Sequence, residues 1–186
     1  MSETVVAELT ADLTMGELLK RYSGAQRVLF QKYHIGGCSH CGFQPEESLY
    51  SVCARNGLKD QVEEVLTVLR TSQKQDEANQ VSPLELKKQL EAGSVTILDI
   101  RTREEFEAVN IPGSILFTQD LMNEIMGKWE KDRAIVVVDH LGARSLDAAA
   151  YFWGHGFTNM KGLKGGIDAY AHEAEPTMPR YTAEDE

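Results

Sequence analysis

Ala134-Ile-Val-Val-Val-Asp-His-Leu-Gly-Ala-Arg144 decides how the chain folds. An apolar, β-branched run stops at Val138, a short loop covers Asp139–Arg144, and amphipathic spacing predicts a helix from Ser145 to Trp153. A strand that is apolar nearly throughout is the pattern of a parallel strand covered on both faces. Val95-Thr-Ile-Leu-Asp-Ile100 repeats that pattern upstream. Helices are predicted over Arg103–Ala108 and Leu121–Trp129. Ser82-Pro83-Leu-Glu85 supplies an N-cap, a proline at the first helical position and a capping glutamate. Alternating strands and helices predict a three-layer α/β domain on a central parallel sheet. Ligands of such sheets sit at the carboxyl ends of the strands. The loop Asp139, His140, Leu141, Gly142, Ala143, Arg144 occupies that place and feeds a helix N-terminus. Several backbone N–H groups then converge on one point, a nest for an anion or an anionic nucleophile. Arg144 is placed to brace the loop against an acidic partner. An ordinary strand-to-helix turn fits the local pattern equally well.

Toward the N-terminus the pattern becomes wholly helical. Thr14-Met-Gly-Glu17 is a capping box followed by Leu18, Leu19 and Tyr22 at helical spacing. A second helix is predicted over Ala25–Tyr33, a third through Leu49, Val52 and Cys53 to Asn56-Gly57, and a fourth capped by Asp60-Gln-Val-Glu63. The glycine-rich stretch His34-Ile-Gly-Gly-Cys-Ser-His-Cys-Gly42 cannot continue a helix. Thr71–Gln80 has alanine as its only apolar residue and reads as a linker or a solvated helix extension. The resulting division is a small helical domain over 1–70, a linker over 71–81, an α/β domain over 82–180 and an acidic tail over 181–186.

The 186 residues are 42% hydrophobic and 26% charged, enough apolar content for a real core. There are 29 acidic and 19 basic side chains, a formal charge of −10. Residues 1–70 carry 7 basic and 9 acidic groups, and residues 71–186 carry 12 and 20, so the acidity lies mainly in the second part. This balance argues against nucleic acid and against anionic membranes as partners. No apolar run reaches the ~18 residues of a membrane span, and the first residues lack a leader pattern, so a cytoplasmic protein is expected.

Residues from about 82 to 180 resemble a rhodanese domain. The matching pieces are Leu98-Asp-Ile-Arg101, Glu104-Glu-Phe-Glu107, Ile111-Pro-Gly-Ser114, Val136-Val-Val138, Gly142-Ala-Arg-Ser145, Gly156-Phe157 and Leu163-Lys-Gly-Gly-Ile167. In active rhodaneses the first loop residue is a cysteine that carries sulfane sulfur as a persulfide, cradled by the next five. Here Asp139 stands at that position, and Asn110 replaces a frequent histidine before Ile-Pro-Gly. A carboxylate forms no stable S–S bond and opposes thiosulfate by its charge. The resemblance therefore implies a domain without standard thiosulfate sulfurtransferase activity, acting as a binding or regulatory module. A cysteine-type phosphatase is excluded for the same missing thiol, and Asp139-His-Leu shows no metal-binding acidic neighbour for an aspartyl nucleophile.

Cys38-Ser-His-Cys41 is a CxxC, and Cys53 follows it. Such a pair closes a redox disulfide or offers two ligands to a metal. Cys38, Cys41 and Cys53 with His34 or His40 would make a tetrahedral zinc set. An iron–sulfur cluster would need cysteines from two subunits. Against these, Cys53 shares an apolar face with Leu49 and Val52 and reads as a buried thiol, and both histidines read as polar loop residues. Asp12–Tyr22, Phe30–Cys38 and Leu49–Leu58 resemble small helical domains associated with hybrid-cluster proteins and iron–sulfur repair. That resemblance implies redox or iron–sulfur handling by Cys38 and Cys41 first and Cys53 second.

Three functions follow. The first is an accessory protein of sulfur or iron–sulfur metabolism that recognises a protein partner, a persulfide carrier or a small anion. The second is a sulfurtransferase using Cys38 or Cys41. The third is a scaffold with a structural zinc or thiol site.

Overall fold

The computed structural model describes residues 8–36 and 42–179. The chain divides into two compact units, Met1–Glu77 and Ala78–Glu186. In the first, α1 (Met15–Arg21), α2 (Ala25–Tyr33), α3 (Leu49–Arg55) and α4 (Val62–Ala78) enclose a core that includes Met15, Leu18, Leu29, Leu49, Val52, Val65 and Leu69. The Thr14–Glu17 capping box forms as its sequence requires, with Glu17 N–H donating to Thr14 Oγ1 at 3.2 Å and Thr14 N–H to Glu17 Oε2 at 3.1 Å. A single antiparallel bridge between Thr14 and Ser48 ties the starts of α1 and α3 together.

Two expectations for this unit change. Asp60 does not cap α4: Lys59–Gln61 is a 3-10 turn closed by Gln61 N–H to the Leu58 carbonyl at 3.0 Å, and the α-helix starts at Val62. The polar stretch after residue 70 continues α4 to Ala78, the helix-extension alternative. Asp76 lies within it and is only 8% exposed, because its Oδ2 accepts hydrogen bonds from the Tyr22 hydroxyl and the Arg27 guanidinium, both at 2.5 Å. Polarity there marks a specific buried contact.

The second unit holds a five-stranded parallel sheet in the order β1-β5-β4-β2-β3, built from β1 (Gln80–Val81), β2 (Thr96–Asp99), β3 (Ile115–Leu116), β4 (Ile135–Val138) and β5 (Met160–Leu163). Side chains alternate across β4. Val136 and Val138 join a core with Val81, Leu86, Ile97, Leu163 and Tyr170, under α5 (Pro83–Glu91) and α9 (Gly166–Glu173). Ile135 and Val137 join Leu98, Ile125, Phe152 and Phe157 on the other face, under α7 (Gln119–Lys128) and α8 (Ala143–Trp153). Helix α6 (Arg103–Ala108) begins on a Thr102–Glu105 capping box. The three-layer α/β architecture is thus present. Strands β1, β3 and β5 carry little sequence signal, since two are two residues long and β5 contains Lys161 and Gly162. Phe157 is 2% exposed, while Trp129 and Trp153 pack as partly buried groups at the margin of the core.

Candidate functional site

The carboxyl ends of β2 and β4 are neighbours, joined by Ile100 N–H donating to the Val138 carbonyl at 2.9 Å. Asp99 closes β2 and is fully buried. Arg101 Nε and Nη2 grip its two oxygens at 3.0 and 2.7 Å, and Nη2 also donates to the Val109 carbonyl at 2.7 Å. This pair fastens the strand end to the end of α6, the structural role that the strand-end position suggests.

Asp139 follows β4 and is 3% exposed. It meets no basic side chain among the described residues. Instead Gly142 N–H donates to Oδ1 at 2.7 Å and Arg144 N–H donates to Oδ2 at 2.9 Å. The nest expected from the strand–loop–helix pattern is therefore present, and the loop's own carboxylate sits in it. Helix α8 starts at Ala143, two residues before the predicted Ser145, because Gly142 adopts a left-handed φ of 88° and turns the chain into the helix at once. The dipole of this eleven-residue helix places positive potential at the carboxylate.

A second loop backs the first. Ile167 N–H donates to the Asp139 carbonyl at 2.9 Å and Asp168 N–H to the His140 carbonyl at 3.3 Å. The approach is close: a Cβ on Gly166 would lie 2.3 Å from the His140 carbonyl oxygen, and one on Gly142 would lie 2.6 Å from Gly165 N. Leu163–Ile167 stood in the sequence as part of a resemblance; its place as the rear wall of the loop was not readable. Doubled glycine at 165–166 was the available signal. Ser145 is fully buried, with an Oγ that has no hydrogen-bond partner among the described residues and lies close to Gly162.

Leu141, Ala143 and Arg144 face outward, while His140 is half-buried. Leu141 is 65% exposed. Arg144 is exposed and makes no ion pair among the described residues, so the acidic brace expected of it does not form within them. The Asn110 side-chain amide donates to the Phe106 carbonyl at 2.9 Å.

Of the cysteine candidates, Cys38 and Cys41, together with His40, lie outside the described residues. Cys53 is a fully buried free thiol on α3, and burial pushes its pKa up, keeping it protonated. His34 ends α2 in a left-handed conformation (φ 58°) and stands exposed beside Phe30. Among the described residues no group of three or more His, Cys, Asp or Glu is arranged to hold a metal, and no helix is long and apolar enough to cross a membrane.

Comparison with known proteins concerns the second unit. Residues 82–173 match the model of the rhodanese-like domain. A probable adenylyltransferase/sulfurtransferase, MoeZ, of Mycobacterium tuberculosis is 34% identical over 104 residues, covering 54% of this chain but only 26% of that protein. The thiosulfate sulfurtransferase GlpE of Shewanella oneidensis is 37% identical over 84 residues, 45% of this chain and 82% of that protein. A solved rhodanese-related protein from Thermoplasma volcanium aligns with a TM-score of 0.43 at 26% identity, over 53% of this chain and 95% of that one. With a relative so similar along most of its length, and a family model covering β2 to β5 and the helices around them, the chain belongs to the rhodanese-like family through residues 82–173.

Proposed function

We propose that this is a cytoplasmic accessory protein of sulfur or iron–sulfur metabolism. Its rhodanese-like domain recognises a protein partner or persulfide carrier without itself carrying sulfur, and its helical unit does thiol chemistry through Cys38 and Cys41. One observation carries the first half: the Asp139 carboxylate occupies the loop nest with both oxygens bonded to loop amides. Those amides and the helix dipole would stabilise a thiolate or persulfide anion at the same point. An aspartate uses them for a group that cannot be charged with sulfur, and its negative charge opposes a thiosulfate dianion.

Thiosulfate-to-cyanide transfer tests this reading. The wild-type chain is expected to show no turnover above background, while Asp139→Cys gains measurable transfer because the cradle is already formed. Robust turnover by a variant with Cys38, Cys41 and Cys53 all changed to serine would overturn the reading. Thiol titration and metal analysis after anaerobic purification test the helical half. A reversible Cys38–Cys41 disulfide supports redox work, and stoichiometric zinc or iron supports a ligand role.

A second reading draws support from the relatives named as sulfurtransferases, GlpE and a protein of Allochromatium vinosum that is 34% identical over 84 residues. In it Cys38 or Cys41 is the sulfur-carrying thiol and the Asp139 loop shapes the acceptor site. Persulfide found on Cys38 or Cys41 by mass spectrometry, with transfer lost on their replacement by serine, would favour it.

A further inference from the structure

On the sheet face opposite α8, a groove of about 710 Å³ runs between α5, the end of α6, α9 and the segment that leaves α9. Leu90, Val109, Pro112 and Met178 line it. Pro112 and Pro179 are exposed and Leu90 and Met178 are half-buried, so an apolar strip faces water there. Covering such a strip is favourable in proportion to the apolar area removed from water. The space exceeds one side chain and suits a short stretch of chain.

The protein's own chain runs along this groove. Glu175 N–H donates to the Tyr170 carbonyl at 3.0 Å, and Met178 N–H donates to the Glu175 carbonyl at 2.9 Å. Lys87 Nζ, from α5, donates to the Ala174 carbonyl at 2.8 Å. These bonds fix the segment after α9, and Thr177, Met178 and Pro179 form part of the groove's wall. Arg180-Tyr-Thr-Ala-Glu-Asp-Glu186 comes next and lies outside the described residues. Two residues of extended chain span at most about 7 Å, so covalent geometry keeps the Tyr181 backbone close to that wall. Tyr181 has the one large apolar side chain of the stretch, while residues 184–186 are acids that require water. A tyrosine also suits an open groove, because its ring is apolar and its hydroxyl can remain wet. A side chain tethered this closely meets the groove at an effective concentration on the order of millimolar, which places a free competitor at a disadvantage. We infer that residues 180–183 fold back as a strap over this groove. The Tyr181 ring sits between Leu90, Val109, Pro112 and Met178, and residues 184–186 stay in solvent.

Methyl NMR on the full chain reads this contact directly. NOEs are expected from the Tyr181 ring to the methyl groups of Leu90, Val109 and Met178. Tyr181→Ser should abolish them and shift those methyl signals, and the groove's own residues are untouched by the change. Tyr181→Phe keeps the ring and should leave the methyl shifts close to those of the wild type. Absence of NOEs from the Tyr181 ring, with groove methyl signals alike in the wild type and Tyr181→Ser, overturns the strap. Groove methyl shifts that move with protein concentration assign the groove to a second copy of the chain and overturn it equally. The readout does not involve the Asp139 loop, so the strap and the proposed function fail independently.

Discussion

Two aspartates terminate adjacent parallel strands, and both are almost completely buried, yet they are held in opposite ways. Asp99 is matched by a guanidinium that is itself inside the protein, with side-chain exposures of 1% for Arg101 and 0% for Asp99. Asp139 has only peptide N–H groups and a helix end. The first arrangement is charge against charge and locks one geometry. The second is charge against oriented dipoles, and dipoles accept any anion of suitable size. The difference separates a structural carboxylate from one standing in the candidate site.

The largest effect should come from breaking the locked pair. Arg101→Met leaves a buried carboxylate without its cation and is expected to cost about 3–5 kcal/mol in denaturant unfolding. Next is the wall behind the open site. Gly166→Ala adds a Cβ that would meet His140 backbone at 2.3 Å, at a φ of +61°. A loss of about 2–4 kcal/mol is expected there. Gly113→Ala serves as its control, since φ is +84° but nothing lies within 4 Å, and about 1 kcal/mol is expected. If the two glycine variants unfold alike, contact between the loops does not matter to stability.

Asp139→Asn should cost less than Arg101→Met, about 1–3 kcal/mol, since the amide keeps one acceptor but turns an NH2 group toward a backbone donor. An equal or larger loss would mean that Asp139 is as locked as Asp99. The smallest effect calibrates the comparison in water. Glu17 is an exposed carboxylate held chiefly by the Thr14 backbone N–H, which lowers its pKa, with the Thr14 hydroxyl adding to it. A lowered folded-state pKa contributes stability above the unfolded value and loses it as pH falls through the folded one. Glu17→Gln should therefore lower stability slightly at neutral pH, flatten the acid limb of the stability curve and leave low pH nearly unchanged.

Much of this was legible because the relevant signals are local. Four consecutive β-branched residues can only be a doubly covered strand here, and a strand running into Gly142-Ala-Arg places amides around whatever residue comes first. Capping at Thr14 and Ser82 is also local, and the structure has both, with Glu85 N–H donating to Ser82 Oγ at 3.3 Å. What escaped depends on partners distant in sequence. Asp76 looked like solvent-facing polarity, and its burial is set by Tyr22 and Arg27, about fifty positions away. The same holds for Gly165 and Gly166: a pair of glycines announces backbone freedom, but which loop presses on them is decided only when β5 pairs with β4. Asp60 misled for a different reason. Its spacing suits a cap, and a competing 3-10 turn gives the Gln61 amide to the Leu58 carbonyl instead.

The rear loop also gives the Asp139 segment a direction. With Gly166 already at contact distance behind His140, the backbone there has no space to retreat into, and any adjustment to a visitor must be outward, on the side where Leu141 and Arg144 stand. A fixed floor beneath an exposed rim confines any change of shape in this segment to its outer face and spares the interior beneath.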